Sequence, residues 1–150
     1  MPLTLIRKVT TANFDSAWPL MQECLRSYGL EAFDAADYRD FFLQFARRSQ
    51  MGLQHVCFSG NVAIGFTTVY FTFSTYYAQR VAYLSDLYVT PEFRQRGVGK
   101  ALLSNVASMA KRRRIKLIQW LVASGNTAAH RFYEPLNTVK SNWIRHSWQV

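Results

Sequence analysis

Val89-Thr90-Pro91-Glu92-Phe93-Arg94-Gln95-Arg96-Gly97-Val98-Gly99-Lys100-Ala101-Leu102 contains a strand end, a proline turn and two glycines that open a helix. At such a junction Gly97 and Gly99 remove side chains where the backbone can approach a ligand. The N–H groups of the first helical turn have no intrahelical acceptor, and the macrodipole adds partial positive charge. Arg94, Arg96 and Lys100 bring formal charge beside them. The stretch therefore reads as an anion cradle. A dinucleotide fingerprint would need a small residue where Leu102 stands, and a P-loop would need an upstream glycine and a Ser or Thr after Lys100. Both fail on spacing.

Outward from the cradle, the sequence patterns predict one α/β domain over 1–150. Upstream, Leu53–Ser59 and Val62–Phe73 are β-rich runs separated by the hairpin dipeptide Gly60-Asn61, and Arg80–Val89 is a third run. Downstream, Val98, Leu102, Leu103, Val106 and Met109 share one helix face, and Lys116–Val122 follows as a strand, completing a strand, helix, strand crossover. Leu3–Lys8 reads as a first strand. Thr10, Thr11 and Asn13 offer caps for a helix over Phe14–Ser27, which Gly29 stops. A second helix, Ala35–Arg48, carries Tyr38, Phe41, Phe42 and Phe45 at core spacing and closes at Gly52. Asn126–Leu136 predicts a last helix, and Trp143–Gln149 a last strand.

The 150 residues, 49% of them apolar, suffice for one sizeable core. No apolar stretch reaches membrane-spanning length and the N-terminal run lacks a secretory pattern, so a cytoplasmic protein without membrane insertion is expected. Cys24 and Cys57 are too few for a disulfide scaffold. His55, His130 and His146 show no metal-ligand spacing, so no metal is assigned. Lys plus Arg outnumber Asp plus Glu by 18 to 9, a formal charge of +9 that attracts polyanions or phosphorylated cofactors. The Lys111–Arg114 run ends a helical pattern, where positive charge favours the macrodipole and reads as a solvated helix end. No nucleic-acid-binding motif accompanies it, so nucleic acid is not expected as a partner.

Two blocks carry a resemblance. Arg94-x-x-Gly97-x-Gly99, preceded by Leu87-Tyr88-Val89 and Pro91, is similar to the signature of the GNAT acetyltransferases, and Asn126-x-x-Ala129-x-x-Phe132-Tyr133 resembles their second conserved helix. The resemblance implies a mixed α/β fold, a mostly antiparallel twisted sheet of about seven strands flanked by four helices. It further implies that acetyl-CoA is the cosubstrate. Backbone groups of Leu87, Tyr88 and Val89 would hold the pantetheine and thioester. The amides from Gln95 through Arg96, Gly97, Val98 and Gly99 to Lys100, flanked by Arg94, would hold the pyrophosphate. Asn126 would bond the pantetheine arm, and Tyr133 would stand by the sulfur as general acid. The acetyl group would pass directly to a primary amine of a small molecule or peptide. The alternative is a CoA-binding sensor or interaction module without efficient transfer.

Tyr70–Tyr76 and Tyr83–Val89 resemble the spermidine/spermine and thialysine acetyltransferase branch, which implies a homodimer. That branch has a Glu where Ser85 stands, and its polyamine enzymes an Asp where Ser74 stands; Asp86 is retained. Two missing carboxylates and a charge of +9 disfavour a polycationic acceptor. Asp86 acting through water is the expected base, and Ser85, Asp86 and Tyr76 are the expected acceptor-binding residues.

Overall fold

The computed structural model describes residues 4–30, 34–48 and 50–150. The chain divides into two units, Met1–Trp120 and Leu121–Val150.

The first unit holds one sheet of five strands in the order of the chain: β1 (Thr4–Lys8), β2 (Gly52–Ser59), β3 (Val62–Ser74), β4 (Gln79–Val89) and β5 (Leu117–Gln119). The first three pairings are antiparallel and β4 with β5 is parallel. The parallel pair follows from the crossover through α3 (Val98–Arg112), because a strand that returns through a helix re-enters in the same direction. The mostly antiparallel mixed α/β architecture and the four helices agree with the sequence. The strand count of about seven does not. Leu3, placed by its pattern in the first strand, lies outside the described residues.

Of the six strands that the sequence patterns placed, the one expected over Trp143–Gln149 is absent. Residues 137–150 form no strand, and Trp143, Ile144 and Trp148 are 80%, 80% and 89% exposed. Alternation fits a side-chain pattern to a pleat, but a strand also needs a neighbour for its backbone groups. The fifth strand is likewise shorter than Lys116–Val122, because its pairing with β4 covers only Val81–Tyr83.

Helices cover both faces of the sheet. α1 (Phe14–Ser27) and α2 (Ala35–Arg47) pack Phe14, Met21, Leu25 and Phe42 against Val56, Phe66 and Tyr88. On the other face α3 sets Leu102, Val106 and Met109 against Ile64, Val69 and Leu84. Asp34 caps α2, accepting from the N–H groups of Ala36 and Asp37 at 2.9 and 3.2 Å. Asn13 caps α1 by position only: its side chain accepts from Thr10 N–H and donates to the Lys8 carbonyl, holding the β1–α1 turn.

The second unit contains α4 (Thr127–Tyr133), shorter than the expected Asn126–Leu136. Among the described residues no helix is long and apolar enough to cross a membrane.

Candidate acetyl-CoA and acceptor site

β4 ends at Val89, a 3-10 turn covers Pro91–Phe93, and α3 begins at Val98. The first helical bond runs from Ala101 N–H to the Gly97 carbonyl. The N–H groups of Val98, Gly99 and Lys100 precede it and remain for a ligand. Gln95 and Gly97 both have positive φ, +58° and +82°, a backbone of the kind that forms anion-binding concavities. Nothing lies within 4 Å of the position a Cβ would take at Gly97. The glycine is therefore required by its backbone angle rather than by crowding.

Arg94 is less free than its sequence position suggested. Its Nε donates to the Val89 carbonyl at 2.9 Å and its guanidinium lies 5.7 Å from the centre of the Tyr88 ring. Arg94 thus ties the cradle to the strand end. Arg96 stacks 5.5 Å over Phe93, while Lys100 is exposed.

Ser85 is the extra residue of a β-bulge, since Thr68 faces Asp86 and Val69 faces Leu84. A bulge increases local twist and bends the strand. Past it, β4 pairs only with β3 among the strands of this unit, because β5 ends opposite Tyr83. Alternate backbone groups of Leu87, Tyr88 and Val89 on that side can serve a ligand, apart from the Val89 carbonyl that Arg94 takes.

Asp86 and Tyr88 share the face toward α1. Tyr28, at the C-terminal cap of α1, donates its hydroxyl to Asp86 Oδ1 at 3.1 Å, and Tyr88 donates to Glu23 Oε1 at 2.7 Å. Burial raises the Asp86 carboxyl above its usual range, while bonds from Thr68 and Tyr28 pull it back. Burial and then the Asp86 charge push the Tyr28 phenol up, so it stays protonated and donates. Cys24 lies beside this pair, its thiol pushed up to about 12 mainly by burial, which leaves it no nucleophile.

Residues 15–137 match the acetyltransferase (GNAT) family. The chain belongs to that family. It is 29% identical over 84 residues to the thialysine N-epsilon-acetyltransferase of Caenorhabditis elegans, covering 56% of this chain and 52% of that protein. It is 27% identical over 146 residues to an uncharacterized N-acetyltransferase of Methanocaldococcus jannaschii, covering 93% and 64%. The matched stretches thus span about half to two thirds of these relatives. In fold, an aminoglycoside N-acetyltransferase in complex with CoA superposes with a TM-score of 0.80 at 17% identity, over 98% of this chain and 95% of that one.

Within this GNAT chain the acceptor residues expected from sequence do not all meet. Ser85 is exposed in the bulge beside Asp86. Tyr76, 77% exposed, lies in the β3–β4 turn, where Ser74 faces Gln79. From Gln79 to Asp86 the strand runs roughly 20 Å. In the second unit, Asn126 caps α4, its side chain accepting from Ala129 N–H at 3.1 Å. Tyr133 ends that helix with its ring 4.9 Å from Phe132, and burial pushes its phenol up to about 12.

Sequence reasoning missed Glu23, Tyr28 and Thr68. Nothing local marks them: Tyr28 and Asp86 are 58 residues apart and are joined only by the packing of α1 on the sheet.

Proposed function

We propose that this GNAT protein transfers an acetyl group from acetyl-CoA directly to a primary amine of a small molecule or peptide. The observation that carries the reading is the juxtaposition at one strand end of three features: the cradle with free first-turn N–H groups, the open β4 edge past the Ser85 bulge, and the half-buried Asp86. Amides of the cradle bind the pyrophosphate. The β4 edge holds the pantetheine alongside as an added strand would lie, with Asn126 bonding its arm, and its N–H groups stabilise the thioester oxygen as it becomes an oxyanion.

Asp86 takes a proton from the amine, directly or through one water; a carboxyl raised by burial is better matched to that task near neutral pH. The amine nitrogen bonds to the acetyl carbon, the carbon–sulfur bond breaks, and Tyr133 gives its proton to the departing thiolate. A phenol held near 12 is fully protonated at neutral pH and able to donate. The Asp86 and Glu23 carboxylates favour an acceptor with positive charge near the reacting nitrogen. Two buried, unpaired thiols suit a reducing compartment, and we place the protein in the cytoplasm as a homodimer.

The test is calorimetry with acetyl-CoA followed by CoA release across a panel of amines, amino acids, diamines and peptides. Micromolar binding with turnover of at least one amine supports the reading. Binding with no turnover would leave a CoA-binding module, and no binding would remove the cradle assignment. A single-protomer mass by light scattering at micromolar concentration would overturn the dimer.

A further inference from the structure

The fifteen residues of α3 put its C-terminal end about 22 Å from the cradle at its N-terminus. Cations gather at that far end. Lys111 and Arg112 close the helix, Arg113 caps it, Arg114 follows and Lys116 leads into β5. Lys8 ends β1 directly opposite His55 of β2, and His55 feels the positive charges of Arg112, Lys8 and Arg113. The ion pair found among the described residues, Arg39 with Asp15, is elsewhere. Five carboxylates, Asp15, Glu23, Asp34, Asp37 and Asp40, belong to α1, α2 and the α2 cap. Like charges held together without counter-charge repel, and the patch is complementary to a polyanion.

Three further observations mark this end. Arg114 has φ +57°, at the position after the cap where a helix ordinarily takes glycine. Ile115 N–H bonds back to the Ala110 carbonyl and Arg114 N–H to that of Lys111, the Schellman pattern. An arginine in the left-handed region is strained, and what glycine would lack here is the charge. Beside it opens a groove of about 580 Å³ with a floor of Ala110, Ile115 and Ile118 and a rim of Lys111, Arg114 and Lys116. His55, 7% exposed, keeps an unpartnered Nδ1 at the edge of the same cationic cluster.

Against the expectation from sequence motifs alone, we propose that the C-terminal end of α3 is a docking surface for the phosphate backbone of a single-stranded nucleic acid. A single strand is flexible enough to run its phosphates along cations spread from Lys8 of β1 to Lys116 before β5, and a base can lie against the aliphatic groove floor. An acidic peptide brings charge without those faces. A planar anionic membrane would meet the protruding cations but not the apolar residues, which lie in a concavity. Phosphates neutralised by Lys8, Lys111, Arg112, Arg113, Arg114 and Lys116 leave the cradle and the β4 edge open, so docking and transfer are compatible.

The experiment is fluorescence anisotropy of the full chain with a labelled twelve-residue oligouridylate over a KCl series. About five or six neutralised phosphates predict a slope of log K against log salt near −4. Arg114→Gly is the decisive variant, because it relieves the backbone while deleting the charge. It should melt higher than the parent yet bind the oligonucleotide several-fold more weakly, with a shallower slope. Lys111→Gln with Lys116→Gln should weaken binding at least tenfold and leave acetyl-CoA binding unchanged. Arg47→Ala with Arg48→Ala, which removes the same charge from the C-terminal end of α2, should stay within twofold. Equal losses for the two double variants would reduce the effect to net charge and overturn the proposal. So would a slope near zero, or displacement of the oligonucleotide by polyglutamate or phosphatidylserine vesicles at equal charge.

Discussion

The Tyr28 hydroxyl donates to Asp86 Oδ1 at 3.1 Å and joins the end of α1 to the middle of β4. That bond favours the ionised carboxylate against the burial that opposes it. Tyr28→Phe removes the donor and keeps the ring, so the Asp86 carboxyl should rise further. With Asp86 as the base, the acidic limb of kcat/KM should move upward, with little change at high pH. A carbon-13 titration of the Asp86 side chain should move in the same direction. An unmoved pH profile in an active enzyme would remove Asp86 from the chemistry.

Gly97, at φ +82° with open space around it, separates two costs. Gly97→Ala strains the backbone alone and should cost about 1 kcal/mol of stability. Gly97→Val adds a branched side chain at the phosphate approach and should abolish acetyl-CoA binding by calorimetry. Undiminished affinity in a folded Gly97→Val protein would show that the pyrophosphate does not use this turn.

His55 makes stability depend on pH in a window set by its own shift. Burial, then the charges of Arg112, Lys8 and Arg113, lower it from 6.5 to about 4. The unfolded chain therefore binds a proton at a higher pH than the folded one. Stability is full above about pH 6.5 and drains away as pH falls toward 4, by on the order of 3 kcal/mol. Denaturant unfolding at pH 7.5, 6, 5 and 4 should show the loss, and His55→Gln should flatten it.

Tyr133→Phe should keep the fold and the acetyl-CoA affinity while slowing transfer by about a hundred- to ten-thousand-fold, the usual range for losing a general acid. Single-turnover kinetics are the proper measurement, because slow CoA release would hide the chemical step in kcat. A variant that matches the parent in that assay would make Tyr133 a packing residue.

Much of the fold was legible because it is written in short-range signals. The α1 boundaries Phe14–Ser27, the Gly60-Asn61 hairpin and the buried stripe of α3 each follow from periodicity and a local stop or turn residue. The turn from β4 into α3 was legible for the same reason, since a strand end, a proline and two glycines specify one backbone path. Trp143–Gln149 was misread because alternation describes a side-chain pattern and cannot supply the partner that a strand's amides require.

The amino-acid sequence by itself determined the family, the order of elements as far as α4 and the glycine turn that opens α3, all properties of residues adjacent in the chain. Only tertiary structure decided which groups surround Asp86, that Ser85 is a bulge, that Arg94 braces Val89, and that Tyr76 stands apart from the carboxylate. Lys8 likewise meets the end of α3 only through the sheet. The physical reason is that a pKa, a hydrogen bond and a charge cluster depend on distance through space. For positions 58 residues apart, that distance is set by how α1 packs on the sheet, which the spacing of letters does not encode.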